Sequence, residues 1–119
     1  ISRGIGHNCP TALMQLATAA CCDMTADLSV YETNMNILYD ALTDLGFDIV
    51  RPGGTFYMFP KALEEDAVAF CQKALGYGLV LVPSDSFGVP GHFRIAYCTD
   101  TDKVIRSLAA FERFVRAAY

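Results

Sequence analysis

No apolar run in this 119-residue chain approaches the roughly 20 residues that a membrane-spanning helix needs, and no basic-then-apolar segment opens it as a secretory signal would. Basic charge is scarce as well: 9 Lys and Arg stand against 13 Asp and Glu, giving a net charge of −4 and a pI near 4.9. A nucleic-acid partner would require a clustered basic surface, so neither nucleic acid nor membrane is expected as a partner. The 5 cysteines are odd in number and contain no C-x-x-C pair. Cys9, Cys21, Cys22, Cys71 and Cys98 stand in apolar or helical surroundings. They are read as small core residues in a reducing compartment, which points to the cytoplasm. Neither His7 nor His92 has a cysteine or second histidine at ligand spacing, so no metal site is expected. Internal repeats and low-complexity tracts are absent.

Apolar residues, by contrast, are plentiful. They make up 53% of the chain and its mean hydropathy is positive, which is rich for one small domain. That excess implies faces covered by another domain or subunit. Together with a first residue that is isoleucine, it leads us to expect a piece of a longer polypeptide. A helix should follow Asn8-Cys9-Pro10, with Leu13, Leu16, Ala17 and Ala20 on one face. A second should begin near Ser29, capped either by Ser29 with Glu32 or by Asp27, and carry the stripe Tyr31, Met35, Leu38, Leu42 and Leu45 up to Gly46. The two form a long N-terminal helical connector.

After Gly46 the period becomes strand-like. Phe47 to Val50 and Thr55 to Phe59 read as strands about the turn Arg51-Pro52-Gly53-Gly54. Glu64, Glu65 and Asp66 fit the first turn of a third helix, whose core face is expected to be Val68, Cys71 and Leu75. Leu79 to Val82 is continuously apolar and reads as a strand covered on both faces. A turn-rich loop from Pro83 to His92 leads into the strand Phe93 to Cys98. A last helix, capped by Asp100 or Thr101, carries Val104, Leu108, Phe111 and Val115. The order ααββαββα predicts an α/β fold, a two-layer sandwich of α+β type with helices packed on a small mixed sheet.

One charge stands out in this pattern. Phe93, Ile95 and Tyr97 fall on one face of their strand, and Arg94, Ala96 and Cys98 on the other. Arginine carries a fixed cation with a planar fork of donors that matches a carboxylate with two parallel bonds. The pattern alone admits that use and also a plain solvated strand arginine.

Several motifs in order resemble one family. Asn8-Cys9-Pro10 followed by Gln15, then Pro52-Gly53-Gly54-Thr55-Phe56-Tyr57, then Val82-Pro83-Ser84-Asp85-Ser86-Phe87-Gly88 with Gly91 and Phe93-Arg94-Ile95, run across nearly the whole chain. Together they are similar to the C-terminal small domain of fold-type I, class I/II pyridoxal-phosphate aminotransferases of the aspartate aminotransferase-like group. The resemblance implies that residues 1–119 are that small domain, without the large cofactor-binding domain. It implies that Arg94 binds the α-carboxylate of an amino acid or 2-oxo acid and that Phe56 lines the substrate side of the cofactor pocket, although the residues alone equally admit Phe56 as a core aromatic of its hairpin, with Tyr57 on the opposite face. Ser84 stands where the family usually has glycine, which implies a slightly different turn or modest strain.

The resemblance also shows what is missing. Transamination needs a lysine that forms a Schiff base with the cofactor. Lys61, Lys73 and Lys103 are the only lysines, and none lies in a Ser-x-x-Lys context. Arg3-Gly4-Ile5-Gly6 superficially matches the family's Arg-x-Gly motif but sits too close to Asn8-Cys9-Pro10. The intact parent is therefore expected to be an aminotransferase using pyridoxal 5'-phosphate, homodimeric, with the large domain of the same polypeptide as partner. This chain alone is expected to be inactive, with no catalytic or cofactor-binding residue and no bound cofactor. The alternative is a stand-alone, non-catalytic α/β domain that binds a small carboxylate or a protein partner.

Overall fold

The computed structural model describes residues 9–119. The Arg3–Gly6 segment, His7 and Asn8 lie outside the described residues. The elements are α1 (Ala12–Cys21), α2 (Ser29–Asp44), β1 (Tyr57–Met58), α3 (Ala67–Leu75), β2 (Val82–Pro83), β3 (Phe93–Ala96) and α4 (Thr101–Ala118), with a 3₁₀ turn at Asp85–Phe87. Helices α2, α3 and α4 pack with a three-stranded sheet of order β1-β3-β2, in agreement with the expected α/β sandwich. Its described pairings are all antiparallel, where a mixed sheet was expected. The reason is topological: β3 is central, and both β1 and β2 run against it.

Two expected strands are curtailed by local chemistry. Phe47 to Val50 is not a strand, because the Phe47 amide donates to Leu42 O across the end of α2, where Gly46 adopts φ 90°. A single further bond, Lys61 N to Asp48 O at 2.9 Å, ties the segment to its neighbour. In the second strand Thr55 lies at φ 65°, outside extended space, and Pro60 has no amide to donate. The chain nevertheless stays alongside β3, through Phe93 N to Pro60 O and Ala62 N to Gly91 O.

The core is aromatic. Phe93 of β3 stacks on Phe70 of α3 at 4.9 Å and meets Phe47 edge-on at 5.6 Å. Phe114 of α4 contacts Phe70 at 5.0 Å, and Phe111 contacts Phe47 at 6.3 Å. Such edge and offset contacts suit the ring quadrupole and supply packing beyond simple burial.

The helix faces differ in part from expectation. In α3 the buried residues are Ala67, Phe70, Cys71 and Ala74, at i, i+3, i+4 and i+7, while Val68 and Leu75 are exposed. The frame is set by Asp66, which is not in the first turn but at the N-cap, accepting from the amides of Val68 and Ala69 at 2.9 and 3.0 Å. At α2 the Ser29–Glu32 box does not form; Asp27 accepts from Ser29 N at 2.9 Å. The Leu79–Val82 run is covered on one side only. Leu79 is buried, but Val80 and Val82 are exposed, since this is the edge of the sheet.

Four cysteines are exposed and only Cys71 is buried, so the reading of all five as core residues is corrected. Three of the exposed four lie in or beside α1, which has no buried residue at all. Its Gln15 side chain donates to Pro10 O at 2.8 Å, joining two residues of the first motif. Seven residues, 22 to 28, separate α1 from α2, so the connector is two helices with a break.

Candidate functional site

Arg94 is placed by its neighbours on β3. Phe93 and Tyr97 are buried and Ile95 is half-buried, which leaves Arg94, Ala96 and Cys98 on the outer face. The alternation read from the sequence is the one observed. Arg94 is itself half-buried. Its guanidinium carbon lies 4.5 Å from the centroid of the Tyr57 ring and 4.3 Å from that of Phe87. Among the described residues no hydrogen bond or ion pair engages its N–H donors. Arg51 offers a contrast: it also lies over a ring, Tyr39 at 5.0 Å, but donates to Asn36 Oδ1.

The loop before β3 carries Phe87 to this spot. Ser84 N bonds to His92 O at 2.9 Å, closing the loop at its base, and Ser84 O accepts from Phe87 N and Val89 N. Gly88 takes the left-handed conformation, φ 77°, that ends the 3₁₀ turn. Ser84 itself is at φ −95°, ordinary for serine, and is fully buried. The expected strain at Ser84 is thus absent, because the turn needs its positive φ at Gly88. His92 Nδ1 is 2.9 Å from Pro90 O, so the imidazole belongs to the turn.

Phe56 lies one ring further out. It is 39% exposed, and its ring is 4.4 Å from that of Tyr57. It lines a groove of about 420 Å³ with Leu28, Tyr31, Met35 and Tyr97. The ring directly on Arg94 is Tyr57. Pairing explains this: Tyr57 stands opposite Ala96, so it is the diagonal neighbour of Arg94 on the same face.

Tyr97 and Asn34 support the hairpin from behind. Tyr97 N donates to Phe56 O at 3.0 Å, and Tyr97 Oη to Thr55 O at 2.9 Å. Burial pushes the Tyr97 phenol up, which keeps it a protonated donor. Thr55, at φ 65°, is a β-branched residue in left-handed space, a conformation that persists only where its surroundings impose it. Buried Asn34 donates to Tyr97 O at 3.0 Å and Thr99 O at 2.7 Å, linking α2 to the end of β3. None of Tyr57, Phe87, Tyr97 and Asn34 was singled out as functional from sequence. Asn34 did carry a signal, being a polar residue three after Tyr31 and four before Leu38, on the apolar stripe of α2.

The lysines do not suit covalent capture of an aldehyde. Lys61, Lys73 and Lys103 are all exposed. Lys73 pairs with Glu64, which raises its pKa, whereas a nucleophilic amine needs a lowered one. Lys103 lies 3.0 Å from Asp100. These residues do not fit a pyridoxal-phosphate site by themselves. Among the described residues there is also no group of three or more potential metal ligands, and no helix is long and apolar enough to cross a membrane.

Comparison with known proteins gives this geometry its context. The chain is 34% identical over 96 residues to an aspartate aminotransferase of Geobacillus stearothermophilus, covering 73% of this chain and 24% of that protein. It is 32% identical over 90 residues to an aspartate/prephenate aminotransferase of Thermus thermophilus, covering 74% of this chain and 23% of that one. Among solved structures, an aminotransferase of Eubacterium rectale superposes with a TM-score of 0.90 at 40% identity, over 98% of this chain and 29% of its own. The chain thus spans about a quarter of the length of the curated relatives it matches. The profile of the family "Aminotransferase class I and II" matches residues 5–111, and this chain belongs to that family.

Proposed function

We propose that this chain is the small domain of a pyridoxal-phosphate-dependent aminotransferase acting on amino acids and 2-oxo acids, and that Arg94 anchors the substrate α-carboxylate. One observation carries the reading: a half-buried arginine, held by two rings and with no acidic partner among the described residues, on a strand whose preceding loop matches the family pattern. A related structure, the aspartate aminotransferase of T. thermophilus, is described with maleate, a dicarboxylate. Phe56, partly exposed beside Tyr57, lines the substrate side of the cofactor pocket. The large domain of the same polypeptide supplies the Schiff-base lysine and the cofactor contacts, and the intact enzyme works as a cytoplasmic homodimer. Closure of the two domains around a carboxylate held at Arg94 would orient the substrate and exclude water. Pyridoxal phosphate, bound by the large domain, supplies the electron sink for the reaction.

The test is Arg94→Lys in the intact enzyme. Loss of a bidentate charged contact, about 1.5–3 kcal/mol, should raise KM roughly tenfold or more for monocarboxylic and dicarboxylic substrates alike. Unchanged kinetics would remove Arg94 from the site. The 119-residue chain alone, incubated with pyridoxal phosphate and dialysed, should keep no cofactor absorbance band; a stable band would contradict the assignment of the lysine to another domain.

A further inference from the structure

Arginines are usually fixed by a carboxylate or by backbone carbonyls, and either would occupy the donors that a ligand needs. Arg94 is fixed differently. The centroids of the Tyr57 and Phe87 rings lie 4.5 and 4.3 Å from its guanidinium carbon, and among the described residues no oxygen accepts from its N–H groups. Rings at this distance hold the cation by quadrupole attraction, with no carboxylate or carbonyl occupying its donors. Its half-burial also takes the cation partly out of water, which strengthens any charge pair it forms.

The two rings come from separate elements with separate supports. Tyr57 is carried by β1 and backed by the Phe56 ring. Phe87 stands on the 3₁₀ turn, braced edge-on by Phe59 at 6.4 Å. Phe87 is 46% exposed, so core packing does not account for an aromatic residue there. We infer that Tyr57 and Phe87 are positioning residues for carboxylate capture, acting through Arg94 by holding its donor edge towards the ligand, an inference that rests on Arg94 being the carboxylate anchor. They need not touch the substrate.

The experiment compares Tyr57→Leu, Phe87→Leu and Tyr57→Phe in the intact enzyme, each alone and combined with Arg94→Lys, reading KM and kcat for a monocarboxylic amino acid. Each leucine variant should raise KM about threefold to tenfold, the worth of one cation–π contact, with kcat within about twofold. Tyr57→Phe, which keeps the ring, should retain the parent KM. In the Arg94→Lys background the leucine effects should shrink to less than about half, because a compact ammonium presents no plane to stack. If a leucine variant does not fold, Phe87→Met makes the same test with an unbranched side chain of similar bulk. A parent-like KM in the leucine variants, with KM raised by Arg94→Lys, would overturn the role of the rings and leave the carboxylate reading intact. Equal leucine effects in both backgrounds would also overturn it, since they would mark a general packing role. A parent-like KM in Arg94→Lys would remove the carboxylate reading and this inference with it.

Discussion

Helices α1 and α4 have similar sequence credentials and opposite fates. Both carry apolar residues at helical spacing. In α4, Val104, Ala110, Phe111 and Phe114 are buried; in α1 nothing is, and Leu13 and Leu16 are 75% and 72% exposed. Periodicity shows which side of a helix is apolar, but burial depends on whether the rest of the chain returns to cover it. The chain returns to α4 through Phe47 and Phe70, and among the described residues nothing buries α1. A 10-residue helix without tertiary support falls below the roughly 12–15 residues at which isolated helices become even marginal. The apolar excess that the composition flagged is therefore concentrated partly in α1 and partly on the outer edge of β2.

This contrast can be broken by substitution. The largest effect is expected in the aromatic core: Phe93→Ala should lower the unfolding free energy by about 3–5 kcal/mol, read from denaturant midpoints. A loss below about 1 kcal/mol would mean that the ring cluster is not the folding core. Next comes a pH effect. Burial pushes the Cys71 thiol up to about 11 from 9.0, so the folded state keeps a proton that the unfolded chain releases. Its contribution is whole below pH 9 and is lost as the pH climbs towards 11. Cys71→Ala should flatten that slope, leaving the part due to Tyr97 and Tyr119, whose phenols burial also pushes up. An unchanged slope would contradict the assignment to Cys71. Asp66→Ala removes the cap of α3 and should cost about 1 kcal/mol, with Asp66→Asn recovering most of it. The smallest effect belongs to α1: Leu16→Ser should change stability by less than about 0.5 kcal/mol. A large loss there would show that α1 is covered in solution.

The outline of the site was more legible than its detail. The alternation Phe93–Arg94–Ile95 and the glycine-bearing loop are local features, and both survive in the structure. So do the stripes of α2, apart from Tyr31, which is exposed, and of α4, because long helices average over errors of one position. Short elements did not fare as well. The Phe47–Val50 strand failed because the Phe47 amide is used to end α2, a competition invisible to a period count. The α3 face was misframed because Asp66 starts the helix later than the acidic run suggested. The aromatic support of Arg94 depends on the register Tyr57 opposite Ala96, which no single strand encodes. Serine for glycine at position 84 implied a slightly different turn or modest strain; Ser84 is unstrained, and the turn places its left-handed residue at Gly88.

The central claim is that Arg94 holds the substrate carboxylate, and equilibrium binding tests it without the chemistry. The dissociation constant of an unreactive dicarboxylate such as maleate should be measured for the intact enzyme and for its Arg94→Lys variant at matched pH and ionic strength. The account predicts a constant raised roughly tenfold or more in the variant, with the melting temperature of the free enzyme little changed. Equal affinity in the two proteins would contradict it.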